Sequence, residues 1–186
     1  MALGVSLCAA TLVAACGNAE TPPGSPMSAG KEALCAPADS GFLRARLQGA
    51  IDAEIDWSSP AVPQCLGGPR PAGDGIRLVY KGVAADGPLL VVIGIALKQR
   101  GGSAQNVPAN LTLVREGTGQ FYATQGDDKC ALDEVRQEPV DGHTGRYHLT
   151  GRGYCTQPAR ALGSDGGAVL VTRFDVEAVI EYPRED

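Results

Sequence analysis

Aromatic side chains are scarce, with one Trp, three Phe and five Tyr in 186 residues. That leaves Trp57 as the single indole candidate for a sugar platform, and its place at the end of an apolar face reads as core instead. Histidine is scarcer still. His143 and His148 stand five apart, which on a strand sets them on opposite faces and argues against a joint metal site. The motifs that carry chemistry are missing. GGSAQ (101–105) and LGSDGG (162–167) fail the G-x-S-x-G elbow, and GRGYCT (151–156) lacks the third glycine of a nucleotide loop. No P-loop, H-E-x-x-H or C-x-x-C occurs, so neither a cofactor nor an enzymatic activity is expected. No run of like charge and no internal repeat is present, and the net charge of −5 argues against nucleic acid, which needs a basic footprint. The apolar run over residues 2–15 is fourteen residues long, short of the roughly 20 that span a bilayer.

That short run fits the core of a secretory signal, which measures about 7–15 residues and ends in small side chains. The usual basic start is missing, since no Lys or Arg precedes Lys31. The run closes on Val13-Ala14-Ala15-Cys16. This resembles the lipobox of bacterial lipoproteins, an aliphatic residue and two small ones before the cysteine that takes the lipid. The resemblance implies cleavage before Cys16, a diacylglyceryl group on its thiol, and attachment to a membrane. Gly17 in place of Asp implies, on the same resemblance, the outer membrane. Residues 17–33, GNAETPPGSPMSAGKEA, have the Gly, Pro, Ala and Ser content of a flexible tether. The expected organisation is a signal over 1–15, a lipidated tether over 16–33 and one domain over 34–186, a single domain by length.

Six cysteines are present. With Cys8 leaving in the signal and Cys16 lipidated, Cys35, Cys65, Cys130 and Cys155 remain, an even set that in an exported chain reads as two disulfides. The Asp141-Gly142-His143-Thr144 stretch suits a two-residue type II′ hairpin centred on Gly142-His143. Counting outward from that turn sets Cys130 opposite Cys155 on a non-hydrogen-bonded pair, where Cα atoms approach to about 4.5 Å. It also sets Asp133 opposite Arg152. Cys35–Cys65 follows by elimination and would tie the domain's start to a loop over CLGGPRPAGDG (65–75).

Gly (25) and Pro (13) punctuate short apolar segments, the pattern of an all-β domain. In the last segment, 168–182, Leu170, Phe174, Val176, Ala178, Ile180 and Tyr182 share one face and Arg173, Asp175, Glu177 and Glu181 the other. Val169, Val171 and Val179 blur that polar face. Residues 42–57 alternate as a strand, with Leu43, Ala45, Leu47, Ile51, Ala53, Ile55 and Trp57 inside. They also carry a helical stripe, but Gly49 would cost a helix about 1 kcal/mol, and the strand is preferred. Further strands are expected at 75–83, 88–98, 110–117 and 120–125. The 88–98 strand is apolar on both faces and so belongs in the middle of a sheet. The expected fold is a disulfide-stapled antiparallel β-sandwich, with a small β-barrel as the alternative. The phrases CLGGPRP, PANLTLVREG, TQGDDKC and GYCTQPAR resemble small uncharacterised lipoproteins of proteobacteria, a resemblance that carries no activity.

Few residues stand out as binding candidates. Asp127 and Asp128, with Asp133 or Glu134, could offer oxygens to Ca²⁺, though Gly-Asp-Asp is equally turn chemistry. Arg160 could meet an anion or a partner. Asp52, Glu54 and Asp56 form a carboxylate row that reads as a solvated face balanced by Arg173. The leading functional expectation is a non-enzymatic envelope lipoprotein that binds a protein or a small envelope ligand through loops such as 101–108, 126–129 and 157–167. A structural subunit of an envelope assembly is the second, and a small hydrolase acting on cell-wall or glycan material the third.

Overall fold

The segments expected as strands are all β, with 42–57 divided between two strands, and along most of them burial alternates as the apolar residues do. The structure, a computed structural model, describes residues 41–58, 64–71, 74–163 and 166–183. In chain order the strands are β1 (Phe42–Gly49), β2 (Ala53–Ser58), β3 (Gln64–Pro69), β4 (Ile76–Ala84), β5 (Gly87–Ile95) and β6 (Gly102–Arg115). They continue with β7 (Gln120–Ala123), β8 (Cys130–Pro139), β9 (Arg146–Cys155), β10 (Ala159–Ala161) and β11 (Ala168–Glu181). The expected signal, the tether, Cys16 and Cys35 lie outside the described residues. Cys65 lies in β3, and its pairing with Cys35 falls outside them as well.

Of the two expected architectures, the barrel is the one found. A sandwich needs two separate sheets, whereas the eleven strands among the described residues join one hydrogen-bonded ladder. The antiparallel pairings β6–β7, β7–β10, β10–β11, β11–β9, β9–β8 and β8–β6 close a ring of six strands. β1 and β2 extend it beyond β11, and β5, β4 and β3 beyond β6. The sheet rolls so far that β3 returns to β11. A Cβ on Gly67 would sit 2.8 Å from the Val179 carbonyl oxygen, so only glycine lets the two backbones come this close. Inside lies one core, with Leu43, Leu78, Tyr80, Ile93, Leu113 and Phe174 among its fully buried side chains. Trp57 joins that core as expected, lying flat over Gly82 and donating its indole N–H to the Val83 carbonyl at 3.0 Å.

Residues 42–57 are two strands rather than one. β1 and β2 form a hairpin pairing Leu43 with Trp57 and Leu47 with Ala53. Each inward residue faces another inward residue, so one long strand and this hairpin write the same alternation into the sequence. Gly49 makes the difference, entering the turn at φ +115°, a conformation other residues rarely adopt.

The disulfide Cys130–Cys155 is present, with Cα atoms 3.9 Å apart, but the chain reaches it by a different path. The connection after β8 is not a two-residue turn on Gly142-His143. It is a longer loop made of two successive tight turns, with His143 N–H bonded to the Val140 carbonyl and Arg146 N–H to the His143 carbonyl. Pro139 consequently pairs with Tyr147, one residue out of the expected register. A bulge between Leu132 and Glu134 leaves Asp133 unpaired and restores the register before Cys130. The two shifts cancel at the cysteines, and Glu134, not Asp133, stands opposite Arg152.

In β11 a shift between Arg46 and Leu47 of the facing strand skips Thr172. This moves Val169 and Val171 into the core and Leu170 out of it, the reverse of the alternation expected from the sequence. Three segments expected as loops contain strands: the first part of 65–75 belongs to β3, 102–108 forms the first half of β6, and 159–161, within 157–167, is β10.

Candidate functional site

The outer surface of the rolled sheet divides by strand into two walls of opposite character. Over β2, β1, β11, β9 and β8, cross-strand neighbours run Asp56, Arg44, Asp175, Arg152 and Glu134, alternating in sign through five strands. Each such facing pair contributes about 0.2–1 kcal/mol. Arg46 lies opposite Arg173, a like-charge pair relieved by Asp52 at 2.9 Å from Arg46 and by Glu54 near both. The expected balance of the Asp52–Glu54–Asp56 row by Arg173 is therefore found, at 3.9 Å from Glu54. His148 faces this wall too and meets Glu177 at 2.9 Å, while His143 is exposed in the β8–β9 loop. The two histidines do not converge.

A groove of about 390 Å³ opens in this wall over the backbones of Val176 and Gly151. Phe42 closes one side, Thr150 lies on its floor, and Arg44, Arg136 and Arg152 stand around it with Glu134 and Asp175. Arg44 is committed, packing its guanidinium 4.6 Å over the Phe42 ring and donating to Asp56 at 3.2 Å.

The second wall covers β4, β5, β6, β7 and the end of β10, and it is apolar. One cross-strand row runs Leu90, Val114, Phe121, with Leu162 N–H bonded to the Phe121 carbonyl at its end. The next runs Val79, Val92, Thr112, Ala123 and Arg160. These positions point outward, because their neighbours along each strand are the core residues. Leu90, Val92, Val114 and Val79 are half-buried by one another, while Phe121 is 44% exposed, Leu162 54% and Val83 69%. Ion pairs at the rim, Lys81–Glu116 and Arg115–Asp86, both at 2.9 Å, leave the centre without charge. Strand spacing puts the wall at about 19 Å across. The expectation that 88–98 is covered on both faces is thus half met: Leu89, Val91 and Ile93 face the core, and Leu90 and Val92 face out.

The sequence candidates scatter. Asp127 receives both terminal nitrogens of Arg70, at 2.9 and 3.0 Å, and Asn110 Nδ2 at 2.6 Å. Hydrogen bonding from Arg70 chiefly, against a smaller desolvation effect, holds its carboxyl below the ordinary range. Its oxygens are spent anchoring the 124–129 loop over Gly94 rather than facing a cation. Asp128 is exposed beside Lys129 at 2.8 Å, a bond that lowers its carboxyl too. Asp133 is exposed and Glu134 belongs to the charged wall, so the four do not meet. Among the described residues no three His, Cys, Asp or Glu side chains are grouped as a metal would need. Arg160 is exposed on β10 at the margin of the apolar wall. Neither wall was read from the sequence as a site. The signal for the apolar one is the two-faced strand 88–98, whose apolar outer face points to solvent instead of a second covering layer.

No family model matches the chain, and neither does any curated protein or solved structure.

Proposed function

We propose that the protein is a non-enzymatic interaction module of the cell envelope, anchored through lipid on Cys16 and docking a second envelope protein on the wall formed by β4, β5, β6 and β7. One observation carries the reading: outward-facing Leu90, Val92, Val114 and Phe121 are adjacent across three strands of an exposed sheet face, with Leu162 beside them. Contiguous exposed apolar patches on soluble domains mark interaction sites. A wall about 19 Å across is small for a stable pair of free proteins, which bury roughly 1,200–2,000 Å² together. A tether of residues 16–33 offsets that limit, because confining both partners to one membrane raises their effective concentration.

The test is photo-crosslinking from position 121 or 162 in native envelopes, with position 173 on the charged wall as control. A discrete protein adduct from the first two positions alone is the expected result, lost in Leu90→Asp. Equal labelling from all three positions would overturn the assignment. Intact mass of the membrane-extracted protein reads the anchor separately, as acyl mass on a chain beginning at Cys16.

A further inference from the structure

We infer that the groove between Phe42 and Arg136 is a binding site for an elongated amphiphilic anion, with its carboxylate or phosphate at Arg136 and Arg152 and its apolar end on Phe42. The argument rests on two neighbouring guanidinium groups that share one carboxylate. Outside the groove Arg173 is also held loosely, at 3.9 Å from Glu54 and 3.8 Å from Asp175. Other cations sit tightly on a partner: Arg46–Asp52, Arg70–Asp127, Lys81–Glu116 and Arg115–Asp86 all at 2.9 Å, and Arg146–Glu181 at 3.0 Å. These are close to charge-assisted hydrogen-bond lengths of about 2.7–2.9 Å. Around the groove the contacts lengthen: Arg136–Glu134 at 3.4 Å, Arg136–Glu138 at 3.8 Å and Arg152–Glu134 at 3.8 Å. Glu134 thus holds two guanidinium groups side by side without saturating either. Arg152 keeps 65% of its side chain exposed, and Arg136 53%. Two adjacent planar forks match the oxygens of a carboxylate or phosphate better than ammonium groups would.

At the other end stands Phe42, with one face of its ring covered by the Arg44 guanidinium at 4.6 Å. Phe42 lies on β1 and Arg136 on β8, with β11 and β9 between them, so the span is three strand spacings, about 14 Å. The floor is low over Gly151 and the inward-facing Val176, and Thr150 adds only a hydroxyl and a methyl, while Glu177, between Phe42 and Thr150 in the same cross-strand row, is engaged by His148 at 2.9 Å. The shape admits an extended chain lying across the strands and gives a bulky or branched one nothing to enter. This wall belongs to β1, β11, β9 and β8, separate from the apolar wall, so the site stands or falls independently of the partner-docking reading.

The experiment is an NMR titration of the full chain with phenylhexanoate, phenylhexyl phosphate and, as the uncharged control, phenylhexanol. The two anions are expected to move the Thr150 and Gly151 amides saturably, and phenylhexanol is not. The relative affinity of the two anions tells a carboxylate ligand from a phosphate one. Arg136→Ala and Arg152→Ala should each weaken binding about tenfold, the loss of one charge-assisted contact. Glu134→Gln removes the competing carboxylate at nearly constant shape and should tighten binding several-fold, a result that a merely structural Glu134 would not produce. Equal responses to the anions and phenylhexanol would overturn the site. So would absence of saturable shifts, or affinity unchanged in Glu134→Gln and Arg152→Ala variants whose Trp57 fluorescence stays native.

Discussion

Asp127 and Gly82 show two ways in which one residue can carry more than its sequence context suggests. The Arg70–Asp127 fork closes the 124–129 loop onto the strand wall, and its carboxyl is held below the usual range by the guanidinium. A group whose folded pKa is depressed adds stability above its unfolded pKa, about 4, and loses it as pH falls through the folded value. Asp127→Asn should therefore cost about 1 kcal/mol near neutral pH, a modest figure because the carboxylate is a third exposed. It should also flatten the fall in stability below about pH 4. Urea unfolding followed at the single tryptophan reads both, and an acid limb identical to the parent's would refute the assignment. Gly82 is under a harder constraint. A Cβ there would meet the Trp57 ring at 2.5 Å, and the ring cannot retreat from a buried position bonded to Val83. Gly82→Ala is expected to destabilise by about 1–3 kcal/mol with a shifted tryptophan emission, and a neutral change would mean the indole is free to move.

Among the strands, the β8–β9 hairpin brings Cys130 to Cys155 as the sequence predicts, but through two compensating irregularities. The longer connecting loop and a bulge at Asp133 each shift the register by one residue, in opposite senses, so Cys130 still meets Cys155. Deleting Asp133 should then leave Leu132 facing Gly153, Glu134 facing Arg152 and the disulfide intact, since the bulged residue pairs with nothing. Peptide mapping without reduction checks it, and a chain with free thiols at 130 and 155 would show that the bulge sets the register instead of correcting it. Replacing both cysteines by alanine should cost about 3.5 kcal/mol, the chain-entropy value for closing a loop of 25 residues. A loss under 1 kcal/mol would mean the ladder alone constrains that loop.

For the molecule as a whole, the packing of the rolled sheet depends on contacts between elements far apart in sequence. Tyr80 of β4 donates to the Glu177 carbonyl of β11, and Tyr182 donates to Gln137 Oε1 at 2.7 Å at one end of β8. Burial pushes both phenols up, Tyr182 to about 12 and Tyr80 further. A phenol whose folded pKa is raised contributes stability that is full below about pH 10, its unfolded value, and is lost as pH rises toward the folded one. Alkaline unfolding is expected between about pH 10 and pH 12, with two of the five tyrosines ionising only as the protein unfolds. Tyrosinate absorbance titrating all five in one step, with tryptophan emission still native, would contradict it.

The sequence by itself determined the class of fold, the core faces of most strands and the cysteine pair 130–155. Those follow from a period of two and from turn residues, which are local. It also carried the two-faced character of 88–98 and the position of Trp57. What only the tertiary structure decided was everything set by a shift of one residue or by the rolling of the sheet. The hairpin inside 42–57 was hidden because folding back preserved the alternation. Leu170 and Val171 exchanged faces because β11 bulges at Thr172, and no local pattern marks that residue. Asp127 left the list of candidate ligands when Arg70, 57 residues away, arrived at its side. The barrel replaced the sandwich because β6, β7, β10, β11, β9 and β8 pair in a closed ring, and pairing between strands so far apart in sequence is not encoded in the alternation along any one of them. The two outer walls came from the same cause: alternation says which residues face out of each strand, and strand order, fixed only by the closed ladder, says which of them become neighbours.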